Sequence, residues 1–181
     1  NVCLGLGVFF LARVLALLYF INNINDDVIR ERCRKRLYIE VPLFLVFFLT
    51  FFIHTLITEG FAVDPVTGEV FMEKYKYSTN FIQVPTIGII LLIGVVLVLF
   101  GIIQPLFMKS TKGIWFSGTG TVLTVLALLL CSGWNNTAYY PSLVDPQSSL
   151  TISNSCSSPF TLKVMTYVSF FIPFVLAYIL Y

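Results

Sequence analysis

Long apolar stretches are the feature that most constrains how this chain of 181 residues folds. A helix needs about 20 apolar residues to cross the hydrocarbon core of a bilayer, and five stretches meet or approach that length. They run from the N-terminus to about Ile21, from about Leu37 to Ile57, from about Val84 to Phe107, from about Ile114 to Gly133 and from about Thr161 to Tyr181. Backbone amides in lipid must bond within their own segment, so each stretch predicts a helix. The predicted fold class is therefore all-α: a polytopic transmembrane helix bundle of about five spans, with residues 1–181 forming a single membrane domain.

The composition excludes an ordinary soluble domain. Hydrophobic residues make up 57% of the chain and charged residues only 11%, whereas soluble domains carry about 25% charged residues. The net charge of +2 gives no reason to expect nucleic acid as a partner. The chain opens on Asn1 within an apolar stretch, and we expect that upstream residues are missing.

The connections between the spans alternate in charge. Residues 22–36 are strongly basic, residues 108–113 contain Lys109 and Lys112, residues 58–83 have only Lys74 and Lys76 as cations, and residues 134–160 have no Lys or Arg. Because positive residues collect on the cytoplasmic side of membrane proteins, loops 22–36 and 108–113 are predicted to be cytoplasmic, and loops 58–83 and 134–160 external. The first span then runs from outside to inside, and the C-terminus ends inside.

The first external loop has a pattern of its own. Residues 61–63 and 69–72 are rich in strand-forming side chains, and residues 64–68 between them contain Pro65 and Gly68. Since Pro and Gly mark turns, this segment predicts a small external β-hairpin on the membrane surface.

Two charged residues lie in or beside the spans. Arg13 falls inside the first apolar stretch, and ionisable groups at such positions are usually functional. The alternative is that the true span begins upstream, so that Arg13 lies near the inner interface and residues 14–21 extend the helix beyond it. Glu40 lies one turn past the basic run and is close enough to Arg36 for an interfacial ion pair; a proton-relay role is the alternative. The basic run itself predicts a topology anchor, with anionic lipid as a further partner.

The remaining candidates are one histidine and four cysteines. His54 stands near the outer end of the second span, where it is either an interfacial polar residue or a haem ligand. The cysteines form no C-x-x-C pair, which argues against a zinc site. Cys131 and Cys156 could both lie outside, and a disulfide between them is an open alternative.

Small residues and prolines indicate packing rather than chemistry. The string Ser117-Gly118-Thr119-Gly120-Thr121 in the fourth span would let a neighbouring helix approach closely. Pro42, Pro105 and Pro173 lie in or at the ends of spans, where they predict kinks.

The C-terminal third resembles subunit II of cytochrome bd, the bacterial quinol oxidase. The similarity rests on the series Ser149-Leu150-Thr151-Ile152, then residues 157–165 from Ser157-Ser158-Pro159 to Met165, then Pro173 and Tyr178 in the last span. Residues 133–144, the segment 10–13 ahead of the basic loop, and residues 93–99 also resemble the family. The resemblance covers nearly the whole chain and corresponds to the C-terminal half of the family's subunit, with the N-terminal half missing.

The resemblance implies a supporting role in a bacterial cytoplasmic (inner) membrane. In that family the b-type and d-type haems and the main quinol-oxidising loop belong to subunit I, which would be the partner. Quinol would be the substrate of the complex, membrane lipid a contact, and a quinone an optional further ligand. No catalytic, cofactor-binding or metal-binding residue of the family maps onto this chain, so no haem is expected to bind it directly.

Two function classes are therefore predicted. The first is a non-catalytic membrane subunit of a quinol:oxygen oxidoreductase that supports assembly and the haem and quinone environment of its partner. The alternative is a polytopic membrane transporter, which would need discontinuous helices and a polar site at the membrane midplane. The unbroken apolar third span argues against the transporter.

Overall fold

A computed structural model of the protein describes residues 2–108, 110–142 and 144–180. The helices are α1 (Val2–Asn23), α2 (Asp27–Ile57), α3 (Lys76–Gln83), α4 (Pro85–Phe107), α5 (Gly113–Gly133), α6 (Ile152–Ser155) and α7 (Pro159–Leu180), with a 3₁₀ turn at Pro146–Ser148. Two strands, β1 (Gly60–Val63) and β2 (Val70–Glu73), form an antiparallel sheet. Asn1, Lys109 of the second basic connection, Leu143 and Tyr181 at the end of the predicted fifth span lie outside the described residues, as does the side chain of Leu180.

Five helices, α1, α2, α4, α5 and α7, are long and apolar enough to cross a membrane. This result confirms the predicted all-α class and the number of spans. The observed bounds of α4 and α5 lie within one residue of the predicted ones, and α7 begins two residues before the predicted Thr161.

The first connection differs from the prediction. Residues 22–36 were expected to be a loop, but α1 continues to Asn23 and α2 begins at Asp27. Asp26 caps α2: its side chain accepts hydrogen bonds from the backbone N–H groups of Val28 and Ile29, which satisfies donors that a helix start leaves unpaired. The basic run is therefore part of a helix, and only residues 24–26 connect α1 to α2.

Helices α1 and α2 pack as an antiparallel pair along most of their length. Their shared core contains Val14, Leu18 and Ile21 of α1 and Leu37 and Phe44 of α2. Gly7 of α1 lies against the backbone of α2. Val98 and Ile102 of α4 complete this core and join α4 to the pair.

Helices α4 and α5 approach more closely, because small residues line their contact. A Cβ added at Gly101 would lie 2.5 Å from the backbone N of Ser117, and one at Gly94 would lie 2.7 Å from the backbone N of Thr124. Ser117 Oγ donates a hydrogen bond across the interface to the carbonyl of Val98 at 3.0 Å. The predicted packing role of the small-residue string is confirmed, since this is how small residues permit helix contact in lipid.

The connections lie at two opposite ends of the four-helix unit α1, α2, α4 and α5. Tyr38 Oη donates to the carbonyl of Leu106 at 3.5 Å, so the start of α2 and the end of α4 share one end. We call this the basic end, because the basic run in the first turns of α2 lies there. The other end carries the hairpin and is called the hairpin end.

The predicted β-hairpin is confirmed, with Val63 paired to Val70 across the turn. Asp64 Oδ1 accepts from the N–H of Val66 at 2.8 Å. Gly68 adopts a φ of 75°, which favours glycine. The loops at this end also contain α3 and α6, which the sequence analysis did not predict.

Helix α7 stands apart in its packing. Every side chain from Ile152 to Ile179 is exposed, whereas the other four long helices each bury one face. The apolar surface of α7 is therefore available to lipid or to another protein.

Candidate functional site

Three charged side chains meet between α1 and α2 at the basic end. Glu40 is almost completely buried, and its Oε1 accepts hydrogen bonds from Arg13 Nη2 at 2.6 Å and from Arg36 Nε at 2.9 Å. The Arg13 guanidinium also lies 5.5 Å from the centre of the Phe9 ring, an arrangement that stabilises the cation. We call Arg13, Arg36 and Glu40 the arginine–glutamate cluster.

The cluster places two cations against one anion, so it carries a net positive charge. The side chains of Arg13 and Arg36 are 41% and 54% exposed, and each guanidinium has five N–H donors. Most of these donors have no protein acceptor within the described chain. Oε2 of Glu40 is buried and likewise has no donor among the described residues.

The depth of the cluster follows from the length of α2. Its 31 residues span about 46 Å at 1.5 Å per residue, whereas the hydrocarbon core is about 30 Å thick. The apolar segment 37–57 accounts for the core, so residues 27–36 extend beyond it. Arg36 therefore lies directly before this apolar segment, Glu40 lies in its first turn, and the hydrogen bond between Arg13 and Glu40 places Arg13 level with it.

This geometry bears on both predicted alternatives for the charged residues. The predicted Arg36–Glu40 pair is present. Arg13 lies near the middle of α1 and pairs with Glu40, and both interpretations of Arg13 stay predictions. The Arg13–Glu40 pair is not among the predicted contacts. It could have been predicted, because the two residues lie at similar distances along the chain from the connection 24–26.

The rest of the basic run forms weaker pairs along one helix. Arg30 lies 3.7 Å from Asp27, and Glu31 is shared by Arg34 and Lys35 at 3.9 and 3.8 Å. Exposed pairs at such distances contribute little to stability, but they engage Asp27 and Glu31, while Asp26 caps the helix. The surface around the cluster therefore remains positive.

An apolar cavity of about 90 Å³ lies between α1, α2, α4 and α5. Phe44 and Phe48 line it from α2, and Leu11 lines it from α1. Phe44 is one helical turn from Glu40, so one end of the cavity lies close to the arginine–glutamate cluster, on the side towards the hairpin end. Its walls contain only hydrocarbon, aromatic, thiol and threonine side chains, and they suit an apolar occupant.

A buried polar network at the hairpin end joins the two loops predicted to be external. Asn80 of α3 donates to the carbonyl of Cys131 at 2.9 Å and to Thr137 Oγ1 at 2.8 Å, and its Oδ1 accepts from Asn135 Nδ2 at 3.0 Å. Gln147 pairs with both the N–H and the carbonyl of Val70 at 3.1 Å. Every polar atom of the Asn80 side chain has a partner, so the network holds the loops together. No local sequence pattern indicates this network, because its partners lie more than 50 residues apart along the chain.

The single histidine does not lie in a haem pocket. His54 is exposed near the end of α2, and its Nδ1 lies 2.8 Å from Thr58 Oγ1. The interfacial interpretation of His54 stays a prediction. Within the described ranges, no three His, Cys, Asp or Glu residues group as metal ligands do. The donor groups present do not fit a haem or a metal ion.

The cysteine alternative is not borne out. Cys131 is buried and its thiol donates to the carbonyl of Tyr77 at 3.6 Å, whereas Cys156 is exposed, and neither forms a disulfide. Packing against α3 encloses Cys131, so the open alternative of a Cys131–Cys156 bond is wrong for this structure.

Comparison with known families identifies the chain over its full length. The profile described as cytochrome bd terminal oxidase subunit II matches residues 1–181. No individual curated protein matches the chain by sequence. The match agrees with the five apolar spans and with the resemblance found in residues 149–178. The chain therefore belongs to the cytochrome bd terminal oxidase subunit II family, and it is a multi-pass membrane protein.

Proposed function

We propose that this chain is the non-catalytic membrane subunit of a cytochrome bd-type quinol:oxygen oxidoreductase, and that it supports assembly of a partner subunit that carries the haems. The family match supports the oxidase complex. The observation that carries the supporting role is the contrast between a well-packed four-helix unit and α7, whose apolar side chains are all exposed where described. Such a surface is typical of a helix that contacts another protein or lipid.

The proposal places the b-type and d-type haems, and the oxidation of quinol, in the partner. His54 is exposed and hydrogen-bonded to Thr58, and the described spans carry no grouped donor set for a metal. When bound in the partner, the haems supply the electron transfer and the reduction of oxygen. This chain's own residues supply packed helices and a boundary charge cluster.

The proposal also assigns the membrane and its sides. We infer the bacterial cytoplasmic membrane, with the basic end inside and the hairpin end outside. Five cations between residues 30 and 36 support this orientation, because positive residues collect on the cytoplasmic side.

Co-purification tests the partnership. The tagged chain, extracted from its own membranes in mild detergent, is expected to bring down a haem-bearing membrane protein with absorption bands of b-type and d-type haems. If no haem protein accompanies it in several detergents, the proposal fails.

A second measurement separates assembly from catalysis. Gly120→Ala is expected to reduce the amount of assembled complex, because its Cβ would clash with α4, while quinol oxidation per haem stays unchanged. Gly118→Ala is the matched control, since its Cβ would meet nothing within 4 Å. A fall in turnover per haem with normal assembly would contradict a non-catalytic role.

His54→Ala tests the haem alternative. We expect the haem spectrum of the assembled complex to be unchanged. Loss of one haem band with intact assembly would assign a haem to this side chain.

The transporter alternative gains no support from the geometry. Helices α1, α2, α4 and α5 are continuous, and the cavity between them is apolar, whereas transporters of this kind bind substrate at broken helices. Uptake of a solute by the isolated chain in vesicles would favour it.

A further inference from the structure

The arginine–glutamate cluster has the chemistry of an anion site. Glu40 holds the guanidinium groups of Arg13 and Arg36 on one oxygen atom, so the two cations lie a few ångströms apart. Their mutual repulsion is only partly offset by the single carboxylate. An anion that accepts the unused N–H donors would complete the cluster.

The position of the cluster selects the kind of anion. The cluster lies at the start of the apolar segment 37–57 of α2, which has the length needed to cross the hydrocarbon core, so we place it near the lipid phosphates. Both arginines are about half exposed there, and the neighbouring acids Asp27 and Glu31 are engaged by other cations. A lipid phosphate can therefore reach the two arginines without displacing a protein acidic group.

The surface on the membrane side of the cluster is apolar. Phe44 lies one helical turn from Glu40 on α2 and lines the cavity of about 90 Å³. Leu11 of α1, two residues before Arg13, lines the same cavity. A ligand that binds both features has a negatively charged head and a hydrocarbon chain. The cavity is too small for a whole acyl chain, so most of the chain would run along the outer surface of the helices.

We propose that Arg13 and Arg36, positioned by Glu40, bind the phosphate of an anionic membrane phospholipid whose hydrocarbon chain extends along α1 and α2 beside the apolar cavity. The two guanidinium groups donate to the phosphate oxygens. Glu40 fixes their geometry and lowers the cost of bringing them together. This site uses a buried carboxylate and residues of two helices, which distinguishes it from general attraction of the basic run to an anionic surface.

Lipid retention by the complete complex tests the proposal. The complex is purified in detergent, and the retained phospholipids are identified and quantified by mass spectrometry. The double variant Arg13→Gln/Arg36→Gln is expected to retain about tenfold less phosphatidylglycerol than the wild-type complex, or less still, because two charge-assisted hydrogen-bonding groups are removed. The matched control Arg32→Gln/Lys35→Gln removes the same charge from the same end of the bundle, and its retention is expected to change by less than about twofold.

The wild-type complex provides an independent measurement if the double variant fails to assemble. The complex is delipidated and then mixed with vesicles of phosphatidylglycerol, vesicles of phosphatidylcholine, or millimolar inorganic phosphate. We expect phosphatidylglycerol to bind at one molecule per complex, to be preferred over phosphatidylcholine, and to resist displacement by inorganic phosphate.

Several results would overturn the proposal. Equal lipid loss in the two double variants would mean that the overall charge of this end, and not the arginine–glutamate cluster, retains the lipid. Displacement by inorganic phosphate would assign a free-anion site, and selective loss of a quinone with unchanged phospholipid would assign a different ligand. Haem content is measured in parallel, so that failure to bind lipid is distinguished from failure of the subunit partnership.

Discussion

Glu40 shows how a single side chain can join charged groups from two helices. It is buried and bonded to arginines from two helices. Loss of Glu40 would leave the two arginines without their shared acceptor, and loss of both arginines would leave a buried carboxylate without a partner.

Removal of this carboxylate should destabilise the α1–α2 pair. We expect Glu40→Ala to lower the stability of the protein by about 1–3 kcal/mol, the usual value for hydrogen bonds to charged groups. Thermal unfolding in detergent measures the change. Glu31→Ala is the control, since its pairs are long and exposed, and it should have an effect below about 0.5 kcal/mol. Equal effects of the two variants would contradict the role of the cluster.

Asp64 makes the turn of the hairpin sensitive to pH. Hydrogen bonds from the backbone N–H groups of Val66 and Thr67 hold the pKa of its carboxyl below the ordinary value. The ionised form is therefore favoured in the folded turn, and its stabilising effect is present above the ordinary pKa and lost as the pH falls through the lowered one.

Hydrogen exchange of the Val66 and Thr67 amides tests this effect. After correction for the intrinsic rate, protection should fall in acid for the native protein. Asp64→Asn retains an acceptor that does not titrate and should show no such fall. Matching pH profiles for the two proteins would rule out Asp64 as the cause.

At the scale of the helices, α4 and α5 depend on a precise line of small residues. Within the string 117–121, Ser117 and Gly120 face α4, while Gly118 faces open space. Five consecutive small residues predict close packing of a neighbouring helix, but they do not tell which of the five lie in the contact. That depends on the rotation of α5 about its axis, which packing against α4 determines.

Two alanine substitutions on one helix separate these positions. A Cβ at Gly120 would lie 2.6 Å from the backbone N of Val98, so Gly120→Ala should cost about 1–3 kcal/mol through overpacking. Gly118→Ala should be neutral or stabilising by up to about 1 kcal/mol, because alanine favours helix more than glycine does. Thermal unfolding of the two variants measures the difference, and a larger cost at Gly118 would refute the assigned rotation.

At the scale of the whole molecule, a packed unit of four helices is joined to one long helix with no buried face. Leu18 and Leu176 illustrate the contrast, since Leu18 is 1% exposed and Leu176 is 51% exposed. In the isolated subunit, Leu18→Ala should cost about 2–4 kcal/mol, and Leu176→Ala should cost less than about 0.5 kcal/mol. Chemical denaturation in detergent checks both values. A large cost at Leu176 would mean that α7 packs against the bundle.

The proposed orientation predicts opposite accessibility of the two ends. In intact cells, a membrane-impermeant maleimide should label Cys156, which is exposed in the loops of the hairpin end. In a cysteine-free background, a thiol introduced by Asn25→Cys in the connection 24–26 at the basic end should react only after the membrane is permeabilised. Labelling of both positions in intact cells, or the reverse order, would overturn the orientation.

The sequence by itself determined the five long apolar helices and the hairpin. These features are local, because an apolar stretch and the turn from Asp64 to Gly68 each depend only on residues that follow one another in the sequence. The sequence also indicated the Arg36–Glu40 pair, since four residues on a helix bring side chains together.

Only the tertiary structure decided which distant groups meet. Arg13 donates a hydrogen bond to Glu40, 27 residues further along the chain, and Asn80 donates one to Thr137, 57 residues further along. Such contacts depend on the relative height and rotation of packed helices, and apolar stretches of similar length and hydrophobicity leave both undetermined. The same physical reason explains why the structure, and not the sequence, showed that Cys131 is enclosed by α3 and that α7 keeps all of its described side chains exposed.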